Sequence, residues 1–176
     1  APDDALRLLD DDMMMFDVVD IDPRALADAE VLVAAERSPW GLLDRVLELR
    51  SEATKIREYA PGVEAKSVAQ LADQARSDQQ LDVEVIIPQS AIDAAETHPG
   101  YGPQHAVVRE ADEVDFYVHP NPADVFLGIL DDTVAIAVSR DGRPHVLVLT
   151  DDQAARSWAR ETFTDLREAA DPLDVE

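Results

Sequence analysis

Apolar and polar positions alternate along this chain with two periods, and the switches between them predict its elements. Val125–Leu130 and Thr133–Val138 are nearly continuous apolar runs rich in Val, Ile and Ala, the pattern of strands buried on both faces of a sheet. Asp131-Asp132 between them is a two-residue hairpin connection. Arg140-Asp141-Gly142-Arg143 carries a second hairpin signal, Asp-Gly, and Pro144 opens the third strand, His145–Leu149. Thr150 with Gln153 three residues on is a capping-box pattern, and Asp151 and Asp152 add negative charge to the first turn. Ala155, Trp158, Ala159, Thr162, Phe163 and Leu166 then recur on one helical face, which places both aromatics in a core rather than around a ligand. Pro172 ends that helix.

The preceding residues alternate strand and helix. Asp3–Asp12 is a short acidic helix, and Met13–Val19 is apolar enough for a strand or for the end of that helix. Pro23–Asp28 reads as one helical turn and Glu30–Ala35 as a strand. Ser38-Pro39 is an N-cap followed by Pro at the first helical position, and the helix runs to about Thr54, burying Leu42, Leu43, Val46, Leu47 and Ala53. Lys55–Tyr59 is a strand closed by Pro61-Gly62. Val68, Leu71, Ala72 and Ala75 mark a helix, Val83–Ile87 a strand stopped by Pro88, and Ala91–Thr97 a short helix. His98–Pro103 is a loop, and a further helix spans roughly Gln104–Ala111. Val114–Val118 is a strand, and His119-Pro120-Asn121-Pro122 a rigid loop. This order predicts a single α/β domain: a mixed, mostly parallel sheet flanked by helices, with a C-terminal β-meander and a final helix. The expected division is a connector helix and linker over 1–22 and the α/β domain over 23–176.

Charge changes the picture. The chain has 38 acidic and 15 basic residues, a formal net charge of −23, and only two of the cations are lysines, Lys55 and Lys66. In dilute buffer such a surplus repels itself; in molar salt the Debye length falls to about 3 Å and the repulsion is screened. An Asp-rich, Lys-poor chain with an ordinary apolar fraction reads as a cytoplasmic protein of an extreme halophile. The acids are spread along the chain rather than gathered in one block, and no basic face is visible for gripping DNA. There are no cysteines, no apolar run of the roughly 20 residues a membrane helix needs, and no basic leader.

Candidate chemistry is sparse. His98, His105, His119 and His145 lack the spacing of a metal site, so no metal or cofactor is expected. No Gly-x-Ser-x-Gly and no glycine-rich phosphate loop occurs. Phe16–Asp22 is an apolar run ending in Asp20-x-Asp22, as in haloacid-dehalogenase-type phosphatases, and Asp131-Asp132 stands where a Mg²⁺ pair would. Arg24, however, replaces that family's small residue, and a hairpin explains Asp131-Asp132 more simply. The Arg37-Ser38-Pro39-Trp40 and Tyr59-Ala60-Pro61 segments each follow a strand and precede a helix, where open α/β sheets hold ligands.

Asp22–Val33, Ile129–Val138, Asp141–Leu149 and Thr150–Ala170, with its Trp158-Ala159 pair, carry a resemblance to a known family. They resemble the C-terminal sensor domain of haloarchaeal winged-helix transcriptional regulators, the methanogenesis-regulatory-protein-like group. The resemblance implies a phospholipase-D-like fold related to TrmB-type sensors, a homodimer, a small-molecule effector and no catalysis. It also implies contact with DNA only through a winged-helix domain, absent from this chain, and none with a membrane. Phospholipase-D-type enzymes use His-x-Lys, and no histidine here has Lys two residues on. The expected effector site comprises Arg37, Trp40, Tyr59, Gln89, His119 and Phe126, at strand ends or in the loops that follow. Two other readings stand beside this one: a Mg²⁺-dependent phosphatase with Asp20 as nucleophile, and a protein-interaction domain with no pocket.

Overall fold

A computed structural model describes residues 23–34, 39–77, 80–97, 111–122, 125–140 and 143–173. The expected helix over Asp3–Asp12, the linker through residue 22, the 98–103 loop and nearly all of the helix expected at Gln104–Ala111 lie outside them.

A 3-10 turn (Pro23–Leu26) leads into β1 (Glu30–Val33), α1 (Pro39–Glu52), β2 (Lys55–Tyr59), α2 (Ala65–Arg76), β3 (Asp82–Pro88) and α3 (Gln89–Glu96). Then come β4 (Val114–His119), β5 (Val125–Leu130), β6 (Thr133–Arg140), β7 (Arg143–Thr150), α4 (Gln153–Glu168) and β8 (Asp171–Pro172). The eight strands form one sheet in the order β1-β7-β6-β5-β2-β3-β4-β8. The sheet is mixed, as the pattern predicts, but its parallel share is smaller than expected. Among the described strands only β2–β3 and β3–β4 pair parallel. The meander pairs antiparallel throughout, and β5 joins β2 antiparallel as well.

Helices cover both faces. Ala155, Ala159 and Phe163 of α4 pack with Ala25 and Leu26 of the 3-10 turn on Tyr59, Leu127, Ile136 and Val148. On the other face α1 sets Leu42 and Val46 on Ala135 and Leu147, while α2 and α3 cover Ile56, Val83 and Val85. Burial from both sides accounts for the continuous apolar runs of β5–β7.

The start of α4 corrects one expectation. Thr150 is the last residue of β7, paired with Val134, and its hydroxyl accepts from Asp152 N–H at 3.2 Å. The N-cap is Asp152, whose Oδ1 accepts from Ala154 N–H at 2.8 Å and Ala155 N–H at 3.4 Å. Pro172 does not end the helix, which stops at Glu168; it lies in β8, which pairs Tyr117↔Pro172 and Val118↔Asp171 along the sheet edge.

Candidate functional site

Alternation along β2 decides where its charges go. Lys55, Arg57 and Tyr59 face α4, while Ile56 and Glu58 face α1 and α2. Glu58 is only 1% exposed and sits opposite Gly128 of β5. Its charge is met by Arg50, one helical turn beyond Val46 on the buried stripe of α1. Arg50 Nε donates to Glu58 Oε1 at 3.0 Å and Nη2 to Oε2 at 2.6 Å, a bidentate pair. Arg50 Nη1 reaches Ser67 Oγ at 2.6 Å and Gln70 Oε1 at 3.4 Å, both on α2. Gln70 Nε2 donates to Leu47 O at 2.6 Å and Gln74 Nε2 to Arg50 O at 3.2 Å. One guanidinium thus ties α1, β2 and α2 together.

Arg50 also borders a cavity of about 110 Å³ beside the loop that follows β2. Leu42, Val46, Phe126 and Leu147 form apolar walls, and Arg50 and Ser67 supply polar atoms. The Phe126 ring lies against Gly128, where an added Cβ would meet ring carbons at 2.9 and 3.0 Å. Glycine is needed there for close approach of the ring. The cavity therefore occupies the place that open α/β sheets use for ligands, the carboxyl end of a parallel strand between two helices.

The residues expected at the site divide between the faces. Phe126 is in the cavity wall. Tyr59 and His119 meet on the opposite face, their rings edge to face with centroids 6.0 Å apart. Asn121 O accepts from Tyr59 Oη at 3.4 Å, and Asn121 N–H donates to His119 Nδ1 at 3.1 Å. Burial pushes the Tyr59 hydroxyl up to about 12. This buried cluster fastens the loop after β4 to the end of β2. Gln89 is exposed at the start of α3, its Nε2 on Asp93 Oδ1 at 2.8 Å. Trp40 falls in the first turn of α1, and Arg37 lies outside the described residues.

Sequence reasoning missed Arg50 and Glu58, yet each shows a signal. Arg50 continues the Leu42–Val46 spacing, and Glu58 is in phase with Ile56, so both charges fall on buried positions.

A second groove, about 360 Å³, lies beneath α4 and includes Lys55, Arg57, Arg160 and Arg167. Its cations are offset: Arg57 binds Asp82 and Glu84, and Arg167 stacks on Tyr117 at 3.3 Å from the ring centroid. The Asp131-Asp132 pair of the phosphatase reading serves the fold. Asp131, at φ 54°, accepts from Thr54 N–H at 3.1 Å and Lys55 N–H at 2.9 Å, and Asp132 pairs with Arg156 at 3.0 Å. Asp20 lies outside the described residues. Among the described residues no group of three or more His, Asp or Glu side chains is arranged to hold a metal, and no helix is long and apolar enough to cross a membrane.

Residues 39–169 match the family model of the middle domain of the methanogenesis regulatory protein FilR1. The chain belongs to this family. The match spans α1 through α4 and so includes the Arg50–Glu58 pair and the cavity. No curated protein matches. Solved structures show the same fold at low identity. TrmBL2, described as an archaeal chromatin protein with a novel mode of DNA binding, is 12% identical with a TM-score of 0.64 over 97% of this chain. This chain spans 60% of the TrmBL2 chain. NucT from Helicobacter pylori is 12% identical with a TM-score of 0.63 over 83% of this chain and 99% of its own. The phospholipase D family member Nuc from Salmonella typhimurium is 16% identical with a TM-score of 0.60, over 84% and 99%. The fold is phospholipase-D-like, as the resemblance implied, and the family is one of regulatory proteins.

Proposed function

We propose that this domain is the effector-sensing and dimerising part of a transcription regulator and catalyses nothing itself. The observation that carries the sensing role is the cavity beneath α1, bordered by a buried guanidinium that links three elements. A molecule bound there touches α1, the loop after β2 and the sheet at once. It can therefore favour one arrangement of α1 over another and shift the population of a dimer. The family's regulatory description and the DNA-binding role of TrmBL2 support placement in a regulator. A net charge of −23 supports DNA contact through a separate winged-helix domain rather than through this one. The same acidic, lysine-poor composition supports work in the salt-rich cytoplasm of a halophile. The cavity weighs against a purely protein-binding domain.

Thermal unfolding in about 2 M KCl, where surface charge is screened, tests the reading against a library of metabolites with and without Mg²⁺. An effector at a hundredfold excess over its Kd raises stability by about 2.7 kcal/mol. One chemical class that stabilises without being converted upholds a sensor, whereas Mg²⁺-dependent conversion to product overturns it. Sedimentation of the same samples tests the dimer.

A further inference from the structure

We infer that the cavity beneath α1 takes an electrically neutral, mostly apolar small molecule with a ring-sized body and a single oxygen, which Arg50 and Ser67 recognise. This rests on the sensor reading and names the ligand class for it.

Size comes first. At about 110 Å³ the cavity is somewhat smaller than the roughly 150 Å³ apolar cavity that binds benzene in another protein. One small ring or a short branched chain fits, with its oxygen toward Arg50 and Ser67; a disaccharide does not. The walls come second. Leu42, Val46, Phe126 and Leu147 offer no hydrogen-bond partner, so a hydroxyl-rich ligand would leave its hydroxyls unsatisfied against them.

Charge decides the rest. Arg50 is cationic, which at first sight favours a carboxylate. Its charge is already balanced by the bidentate contact with Glu58, and Glu64 borders the same cavity. An anionic ligand would put another negative charge beside Glu58 in a chain of net charge −23. A neutral ligand avoids that repulsion. Two donors remain for its oxygen. A guanidinium has five N–H groups, and four are taken by Glu58, Ser67 and Gln70. The fifth, on Nη2, has no partner among the described residues. Ser67 Oγ accepts from Arg50, which leaves its own proton to donate. Phenols, aryl alcohols and small ketones have this form.

The test is calorimetric titration of the chain, in about 2 M KCl to screen surface charge, with benzyl alcohol, toluene, benzoate and glucose. Benzyl alcohol is expected to bind about tenfold more tightly than toluene, the effect of one well-made hydrogen bond. Ser67→Ala should bring benzyl alcohol close to toluene, and Ala137→Leu, which fills the cavity from the sheet side, should abolish binding of both. Circular dichroism of each variant confirms that it folds. Tighter binding of benzoate or glucose than of benzyl alcohol overturns the neutral apolar class but leaves the sensor reading standing. Toluene equal to benzyl alcohol, with Ser67→Ala silent, overturns the role of Arg50 and Ser67. If none of the four binds and the metabolite library gives no stabilisation either, the sensor reading falls with the inference.

Discussion

Neighbouring residues of β2 anchor ion pairs on opposite faces of the sheet, and the two sides are built differently. Toward α1, Glu58 and Arg50 have side chains 2% and 3% exposed. Toward α4, Arg57 is 17% exposed and reaches Asp82 and Glu84, which are 62% and 26% exposed. The chemistry is the same; the solvent is not. An exposed pair gains little because water and salt screen it, whereas a buried pair carries a desolvation cost that only near-ideal geometry offsets. The α4 face keeps its charges at the rim and fills its core with Phe163, Leu127 and Ile136. The α1 face puts a charge pair under its helices and leaves a cavity beside it. The first face buries polar groups too, Tyr59 and His119, but its described ion pairs stay at the rim. The second buries an ion pair beside an apolar cavity, which is why the functional proposal is placed there.

The largest effect is expected from Arg50→Ala, which strands Glu58 in the interior and should cost about 3–5 kcal/mol of stability. Arg57→Ala removes two pairs of similar length but should cost far less, because Asp82 and Glu84 rehydrate. Urea unfolding of both variants in molar KCl measures the difference directly. Equal losses would erase the contrast between the faces. The double variant Arg50→Met/Glu58→Leu should recover most of the loss, since removing both charges removes the desolvation penalty. It should also weaken benzyl alcohol binding toward that of toluene, which separates stability from recognition.

Gly128→Ala sharpens the comparison from the cavity side. The new methyl group meets the Phe126 ring at 2.9 Å, so the ring must move off β5. Overpacking of this kind costs about 1–3 kcal/mol. The same displacement should weaken ligand binding, and calorimetry on the folded variant reads both. Unchanged binding would mean that Phe126 does not shape the cavity.

Asp152→Ala acts on the other face and should cost about 1 kcal/mol, the usual loss for an N-cap. Hydrogen exchange should quicken in the first turn of α4 and stay constant in α1. Faster exchange in both helices would show that the two faces are not energetically separate.

Much of this fold was legible because its strands announce themselves. β5, β6 and β7 are apolar enough to be read without a partner, and Asp131-Asp132 marks their first turn. Pairings and short elements were not legible. β8 has two residues, too few for any period, and exists only because β4 presents an open edge. Thr150 and Asp152 both have the chemistry of a cap, and the ladder to Val134 keeps Thr150 in the sheet. At the site, Phe126 was readable as a residue near a strand end, but not the face it takes. Tyr59 and His119 meet because β2 and β4 flank β3 in parallel and end at the same edge of the sheet, a fact of strand order. Arg50 and Glu58 each sit in a buried phase that periodicity reveals. Their union depends on α1 lying over β2, which no local pattern records.

The smallest effect concerns Asp82, the exposed partner of Arg57. The hydrogen bond from Arg57 lowers its carboxyl below the ordinary value of 3.8; partial burial opposes this, and the charges of Arg57 and Lys55 add to it. A carboxyl whose folded value is depressed stabilises the fold above its unfolded value and loses that contribution as pH falls through the folded one. Wild type should therefore exceed Asp82→Asn in stability near neutrality, by less than about 1 kcal/mol at low salt. The gap should close as the solution is acidified below pH 3.8. Molar KCl should close it at neutral pH too, because Asp82 is 62% exposed and screening reaches it. Urea midpoints of the two proteins across pH and salt measure the gap. A gap that survives molar KCl would give the α4-side pair the character of a buried one and remove the distinction between the two faces of β2.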